Sequence, residues 1–447
     1  MSFSKTIQPV ATPLSFHIHT FENFDNPVYY LGVIGLRIID IFMVLLGFFF
    51  TVLGIIGIFG TLPGFFYTGY LFYAYCRNKF NDRSLIKVIE KGTRPKVEIL
   101  DDKLFSRPII VDYLKNILQP DSDQSFYYVV CGEHGSGKTT LFRIASSEVG
   151  RGVVYVDVPS RVEDFGKGFG KALNFAFEER ISFTQQLTRK LVDTNGNSNE
   201  PVWWRALKAF KRGAKEYKAK YNKPAVIVCD NVSRLVHKNP EVLDILQDDA
   251  KDNADEHIYI AVFICSEGAV LRMKSRSSWS RAKNPPMEIC DLSEEESIKY
   301  MTEIHKITEK AGELYQLVGG RILELKSVAN DLSSKQFIED IREKILLKAY
   351  NKLYSAKILK NQKHHEAGKR VIDALLRSKE INIEEFRELF ANEEKYDDAL
   401  EANVFSFHPS RNTVSFQSQS IEYYIRENYD AFADLVSLSS NYASTSK

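Results

Sequence analysis

At 447 residues the chain is too long for one hydrophobic core, so two or three folded units are expected. Its 59 Lys and Arg nearly balance 58 Asp and Glu, which excludes a molecule whose overall field alone would gather nucleic acid or an acidic substrate. The five cysteines, Cys76, Cys131, Cys229, Cys265 and Cys290, lack the paired spacing of a metal site and read as small buried hydrophobes facing a reducing compartment.

In chain order, residues 1–30 form an N-terminal segment, and Leu31 to Tyr75 then carries only Arg37 and Asp40 as charges, with none from Ile41 to Leu62. That inner run is close to the ~20 residues that cross a hydrocarbon core as a helix, so residues 31–75 are predicted to be a transmembrane anchor in contact with lipid. Pro63-Gly64 leaves the number of spans open: one helix with an aromatic segment at the interface, or a hairpin of two. A basic juxtamembrane linker, 76–104, follows with Arg77, Lys79, Arg83, Lys87, Lys91, Arg94 and Lys96, whereas the first forty residues hold only Lys5 and Arg37. This bias predicts an integral membrane protein whose large domain faces the cytosol, in an organelle the sequence does not name.

Residues 105–292 are predicted to be an α/β core. Apolar runs at Phe126–Cys131, Val153–Val158, Ala225–Cys229, Ile258–Cys265 and Met287–Cys290 alternate with helical stretches, the pattern of a parallel sheet covered on both faces. Strands then cease. Residues 293–362, opening on Ser293-Glu294-Glu295-Glu296, read as a helical lid with a capped start. Residues 363–436 pair helices at Ala367–Arg377 and Ile383–Ala391 with a hairpin around Pro409–Asn412 and a last helix, Ser420–Glu427, which reads as a winged-helix-like unit. The Ser-rich tail, 437–447, is expected to be disordered.

The chemistry is carried by Gly132-Glu133-His134-Gly135-Ser136-Gly137-Lys138-Thr139-Thr140, which satisfies G-x-x-x-x-G-K-[ST] at each fixed position after a strand and before a helix. Glycines let backbone N–H groups curl around phosphate oxygens, the helix N-terminus adds its positive dipole end, Lys138 reaches the β and γ phosphates, and Thr139 is a Mg²⁺ ligand. Asp230, ending the strand Ala225–Cys229, is the second expected Mg²⁺ ligand, the Walker B acid.

From these residues the sequence resembles the AAA+ and STAND side of the P-loop ATPases over about Phe105 to Glu427. The resemblance implies ATP with Mg²⁺, Ser266 in VFICSEG as sensor 1, Arg281 in RSSWSRA as an arginine finger with Arg276 as the alternative, and Arg321 of Gly319-Gly320-Arg321 as sensor 2. It also implies a homo-oligomer. The set DNV, CSEG, RSSWSR and LVGGR is further similar to eukaryotic P-loop proteins of Crinkler and retrotransposon-hot-spot type. One departure matters: Asn231 follows Asp230 where hydrolysing members place a water-activating acid, and an amide cannot take that proton. Glu133 or Glu267 could substitute, each with a plainer reading as loop polarity.

Trp203 to Lys223 gathers Trp203, Trp204 and eight basic residues against Glu216 alone, a helix suited to lipid headgroups or equally to a solvated surface. His17, His19, His364 and His365 read as incidental surface histidines, since no carboxylate or cysteine falls at ligand spacing. The helix Ile383–Ala391 carries Glu384, Glu385 and Glu388 with only Arg387, which opposes a phosphate backbone and favours protein docking by the C-terminal unit. The expected function is a membrane-tethered ATP hydrolase that acts as a nucleotide-dependent switch. Its alternative is a non-hydrolysing scaffold, and a nucleic-acid ATPase is the third class.

Overall fold

A computed structural model describes residues 42–47, 62–98, 104–173, 201–390, 399–400 and 402–432. The charge-free run expected to cross a membrane lies mostly outside these residues, as do the N-terminal segment and the Ser-rich tail. Among the described residues no helix is long and apolar enough to cross a membrane. The chain divides into Met1–Ala74 and Tyr75–Lys447.

Helix α1 (Leu62–Lys91) is followed by α2 (Pro108–Ile117), β1 (Tyr128–Cys131), α3 (Lys138–Val149), β2 (Val153–Asp157), α4 (Phe165–Ala172) and α5 (Val202–Tyr221). Then come β3 (Ala225–Asp230), α6 (Ser233–Lys238), α7 (Pro240–Asp255), β4 (Tyr259–Ile264), α8 (Glu267–Lys274) and β5 (Met287–Glu288). The strands form one sheet in the order β2-β3-β4-β1-β5, parallel at every pairing. Successive strand residues feed opposite cores: Val129, Val154, Val156, Ile227 and Cys229 face one cluster, while Val130, Val153, Tyr155, Val226 and Val228 face the other. This explains the unbroken apolar runs, because both sheet faces are dry and each buried Val or Ile contributes about 1.5–3 kcal/mol relative to exposure. Cys131, Cys229 and Cys265 are buried and free, Cys76 is half-buried, and Cys290 is exposed.

The stretch expected to be a linker is core structure instead. Helix α1 continues to Lys91, and Leu85 and Ile89, spaced i,i+4, are buried against α5 where Gly213 lets the two helices meet. Past the helix, the Thr93 N–H donates to Val153 O at 2.9 Å and Arg94 Nη1 to Ser147 O at 2.6 Å. Lys79, Arg83, Lys87 and Lys91 are exposed along this helix, whose other side is packed.

The lid consists of α9 (Glu294–Lys299), continued by a π turn at Tyr300–Ile304, then α10 (Ala311–Val318), α11 (Ile322–Ser333) and α12 (Ile338–Ser355). Ser293 and Glu296 form a reciprocal capping box at its start. The lid is pinned to β5 by Leu292 N–H donating to Gly320 O at 2.9 Å, and a Cβ on Gly320 would lie 1.8 Å from Leu292 O. Gly320→Ala is therefore expected to lower stability by about 2–3 kcal/mol by forcing the two backbones apart, a loss to be read from the urea midpoint.

The last region comprises α13 (His365–Ser378), β6 (Ile381–Asn382), α14 (Ile383–Phe390), β7 (Phe405–His408), β8 (Thr413–Phe416) and α15 (Gln419–Glu427). Its antiparallel sheet has the order β6-β8-β7, so the hairpin read from sequence gains a two-residue third strand. Phe386, Phe390, Phe405, Phe407 and Val414 fill its own core. His364 is buried rather than superficial, with its N–H on Lys357 O at 2.9 Å. No cluster of metal-ligating side chains occurs among the described residues.

Candidate nucleotide site

The site lies at the C-terminal edge of the parallel sheet, where β1 gives way to the loop 132–137 and α3 begins at Lys138. Two glycines are required by geometry. Gly137 caps α3 in a left-handed conformation (φ 93°), and a Cβ on Gly132 would stand 2.5 Å from Ile289 O. Lys138 Nζ donates to the carbonyls of Gly132 at 2.5 Å and Glu133 at 2.7 Å, which holds the ammonium inside the ring of the loop. The Ser136 hydroxyl is buried with no hydrogen-bond partner among the described residues, and His134 is exposed at the rim. Thr140 follows Thr139 in the first turn of α3.

The Thr139 hydroxyl is close enough to Asp230 to favour its carboxylate, so the two expected Mg²⁺ ligands are neighbours in space. Asp230 is 1 % exposed, takes the Tyr155 hydroxyl at 2.5 Å and the Asn231 N–H at 2.8 Å, and burial raises its carboxyl above the usual range. A glycine loop shaped for close approach, an orphaned hydroxyl inside it, an ammonium without a carboxylate partner among the described residues and a neighbouring hydroxyl and carboxylate fit a nucleoside triphosphate with Mg²⁺. Thr139 and Asp230 would hold the ion, which supplies charge neutralisation across the β and γ phosphate oxygens when bound.

Asn231 adopts a left-handed conformation (φ 61°) and its amide donates to Asp157 Oδ1 at 2.9 Å, while Arg143 and Arg234 flank the same carboxylate at 3.4 Å. Ser266, two residues past β4 and the N-cap of α8, bonds Ser233 through both its N–H (2.7 Å) and its hydroxyl (3.0 Å). Arg281 lies at the opposite end of β1 from the loop, where its carbonyl accepts the Tyr127 N–H and its guanidinium pairs with Asp255 at 2.5 Å. It therefore cannot reach the loop of its own chain. Arg276 is engaged by Asp244 and Asp248 at 3.0 and 2.9 Å.

Arg321 is 4 % exposed and pairs with Asp291 at 3.1 Å, donates to Gln417 O at 2.7 Å, and stands 3.7 Å from Glu133. Burial opposes its charge, but the Asp291 and Glu133 carboxylates outweigh that and keep it protonated. Glu133 also accepts from the Ser406 hydroxyl and from Gln417 Nε2 at 2.9 Å. One phosphate-loop side chain is thus held at once by the lid and the C-terminal unit. A second clasp joins β5 to β7: Glu288 bonds His408 at 2.5 Å and Ser410 at 2.8 Å, and although burial pulls its carboxyl up, these bonds hold it below the ordinary value. Sequence reasoning missed both clasps, because Ser406 and Gln417 lie 273 and 284 residues from Glu133 and no local pattern links them.

An ATPase-domain family predominantly from Archaea matches residues 105–328. The chain belongs to that family. This ATPase-family chain has no match among curated proteins. Among solved structures it is similar to the Walker-type ATPase PABY2304 of Pyrococcus abyssi, with 13% identity, 74% of this chain and 98% of that chain covered, and a TM-score of 0.45. It is also similar to Cdc6p from Pyrobaculum aerophilum (12%, 77% and 98% covered, TM-score 0.35) and to the Aeropyrum pernix ORC1 protein in complex with DNA (12%, 74% and 96% covered, TM-score 0.38). These matches give no support to the narrower likeness to Crinkler-type proteins. The family match covers the loop, Asp230, Ser266 and Arg321 within one ATPase domain.

The basic helix expected to meet lipid is largely spoken for inside the ATPase core. Ala206, Leu207, Phe210 and Tyr217 of α5 are buried, and its cations bond to acidic partners: Lys211 to Asp249, Arg212 to Asp82 at 3.6 Å, and Lys220 to Glu90 at 2.6 Å. Asp249 is 7 % exposed and also takes the Tyr259 hydroxyl. Lys211→Glu, which sets a second acid beside this buried one, is expected to cost about 2 kcal/mol, whereas Lys215→Glu on the exposed face changes stability by under about 0.5 kcal/mol. Thermal melts of the two variants give the comparison.

Proposed function

We propose that the chain is an AAA+-type ATP hydrolase working as a switch, in which nucleotide at the phosphate loop decides how the lid and C-terminal unit sit on the core. The observation that carries this reading is the Glu133 clasp, since the residue after Gly132 is bonded to Ser406 and Gln417 and lies beside Arg321. A γ-phosphate drawn to Lys138 would take that ammonium from the carbonyls of Gly132 and Glu133 and place new negative charge next to the clasp. Arg321 would then be shared between phosphate and carboxylates. Sensor 1 at Ser266 and a finger role for Arg281 on a neighbouring copy belong to the same reading, and so does a homo-oligomer. The C-terminal unit is the surface offered to a protein partner.

Anchoring through residues 31–75, with the ATPase domain on the cytosolic side, completes the proposal. It is supported by the charge-free run Ile41–Leu62 and the basic flank after it. Retention of the full chain in membranes after an alkaline wash is the expected result.

A non-hydrolysing, nucleotide-gated scaffold is the second reading, favoured by one observation: Asn231 donates to Asp157 and has no proton-accepting group to offer water. Steady-state phosphate release with Mg²⁺·ATP separates the two. Turnover by the native chain supports the hydrolase; binding without turnover, with release appearing in Asn231→Glu, supports the scaffold.

A further inference from the structure

Loss of an acid after Asp230 leaves the attacking water without the usual acceptor, and two other carboxylates stand near the loop. Glu133 has both oxygens engaged, one by Ser406 and one by Gln417, with Arg321 beside it. Glu267 differs. It is the first residue of α8, directly after the N-cap Ser266 and three residues past the end of β4. It is 5 % exposed, and that small remainder opens on a cleft of about 660 Å³ whose wall also includes Glu133, His134, Ser233, Ser266 and Phe405. The cleft has the size of a small-ligand site, and it runs alongside the phosphate loop.

Resting on the hydrolase reading above, we propose that Glu267 is the catalytic base that accepts a proton from the water attacking the γ-phosphorus. The water oxygen forms the new P–O bond while the bond from the γ-phosphorus to the β,γ-bridging oxygen breaks. The bond pair stays on the β-phosphate of ADP, and the water proton passes to a Glu267 carboxylate oxygen before returning to solvent. Ser266, whose hydroxyl donates to Ser233 at 3.0 Å, lines the same cleft one residue away. The groups facing Glu267 are Glu133, Lys138 and Glu288, and burial followed by the Glu133 carboxylate raises its proton affinity well above that of an ordinary glutamate. Since only the ionised form accepts a proton, turnover rises with pH through that elevated value. The Lys138 ammonium opposes burial and the Glu133 charge and favours the ionised form.

The test uses the full-length chain and three readouts: equilibrium ATP affinity, the identity of nucleotide retained after free nucleotide is removed, and the pH profile of phosphate release. Glu267→Gln is expected to bind ATP within threefold of the native chain, to retain intact ATP where the native chain retains ADP, and to lose at least about 100-fold in turnover together with the rise with pH. Glu267→Asp, keeping the carboxyl on a shorter arm, restores part of the rate and the pH dependence. A Glu267→Gln chain that retains ADP and turns over within threefold of native overturns the assignment while leaving the hydrolase reading intact. A native chain that binds ATP and only ever retains ATP overturns both.

Discussion

Replacing Lys138 by alanine is expected to reduce Mg²⁺-dependent phosphate release by about 100- to 1000-fold and to weaken ATP binding by about tenfold or more. The ammonium sits inside the loop on the carbonyls of Gly132 and Glu133, poised over the α3 N-terminus where β and γ phosphates would lie. Because both bonds are to the lysine's own loop, the variant keeps its fold, and a thermal melt close to native separates loss of the site from loss of structure. Undiminished release by Lys138→Ala would place the chemistry elsewhere.

Arg321→Ala is expected to lower stability by about 3 kcal/mol and to free the C-terminal unit for proteolysis. The buried guanidinium serves Asp291, Glu133 and the Gln417 carbonyl together, so its removal leaves two carboxylates without their shared cation. Arg321→Lys returns the charge without the planar fork and recovers only part of the loss, because one ammonium cannot span three acceptors with the same geometry. Urea midpoints of the two variants, with limited proteolysis of the lid and hairpin, measure both effects.

Much of the core was legible because its signals are local. Unbroken apolar strands report a sheet buried on both faces, and a glycine loop ending in Lys138-Thr139 reports a phosphate cradle wherever it follows a strand. Asp230 could be read from the strand it ends. The edges were harder. β5 is two residues where four were expected, since it pairs β1 only through Met287 and Glu288, and β6 is too short to have a pattern. Leu85 and Ile89 had the right spacing for a packed helix, but seven flanking cations made the segment read as a juxtamembrane linker. The α5 cations looked free because their acids, Asp249, Asp82 and Glu90, come from other elements.

The clasp on Glu133 belongs to the same class of hidden feature. A serine on β7 and a glutamine after β8 are unremarkable in sequence and acquire meaning only when the hairpin reaches the phosphate loop. Asn231 shows the converse: the sequence marked it as a departure, and the structure adds that its amide is used by Asp157, at the end of the neighbouring strand β2. In the hydrolase reading, the water-activating role then falls to another group.

Backbone hydrogen exchange across residues 404–418, with and without saturating Mg²⁺·ATP, is the measurement that bears most directly on coupling between the loop and the C-terminal unit. The Gln417 N–H bonded to Val404 O at 2.9 Å closes the hairpin that grips Glu133, so it reports on the clasp itself. The account predicts a clear change in protection of this hairpin on nucleotide binding, lost in Lys138→Ala. Bound ATP with identical protection in both states would contradict it.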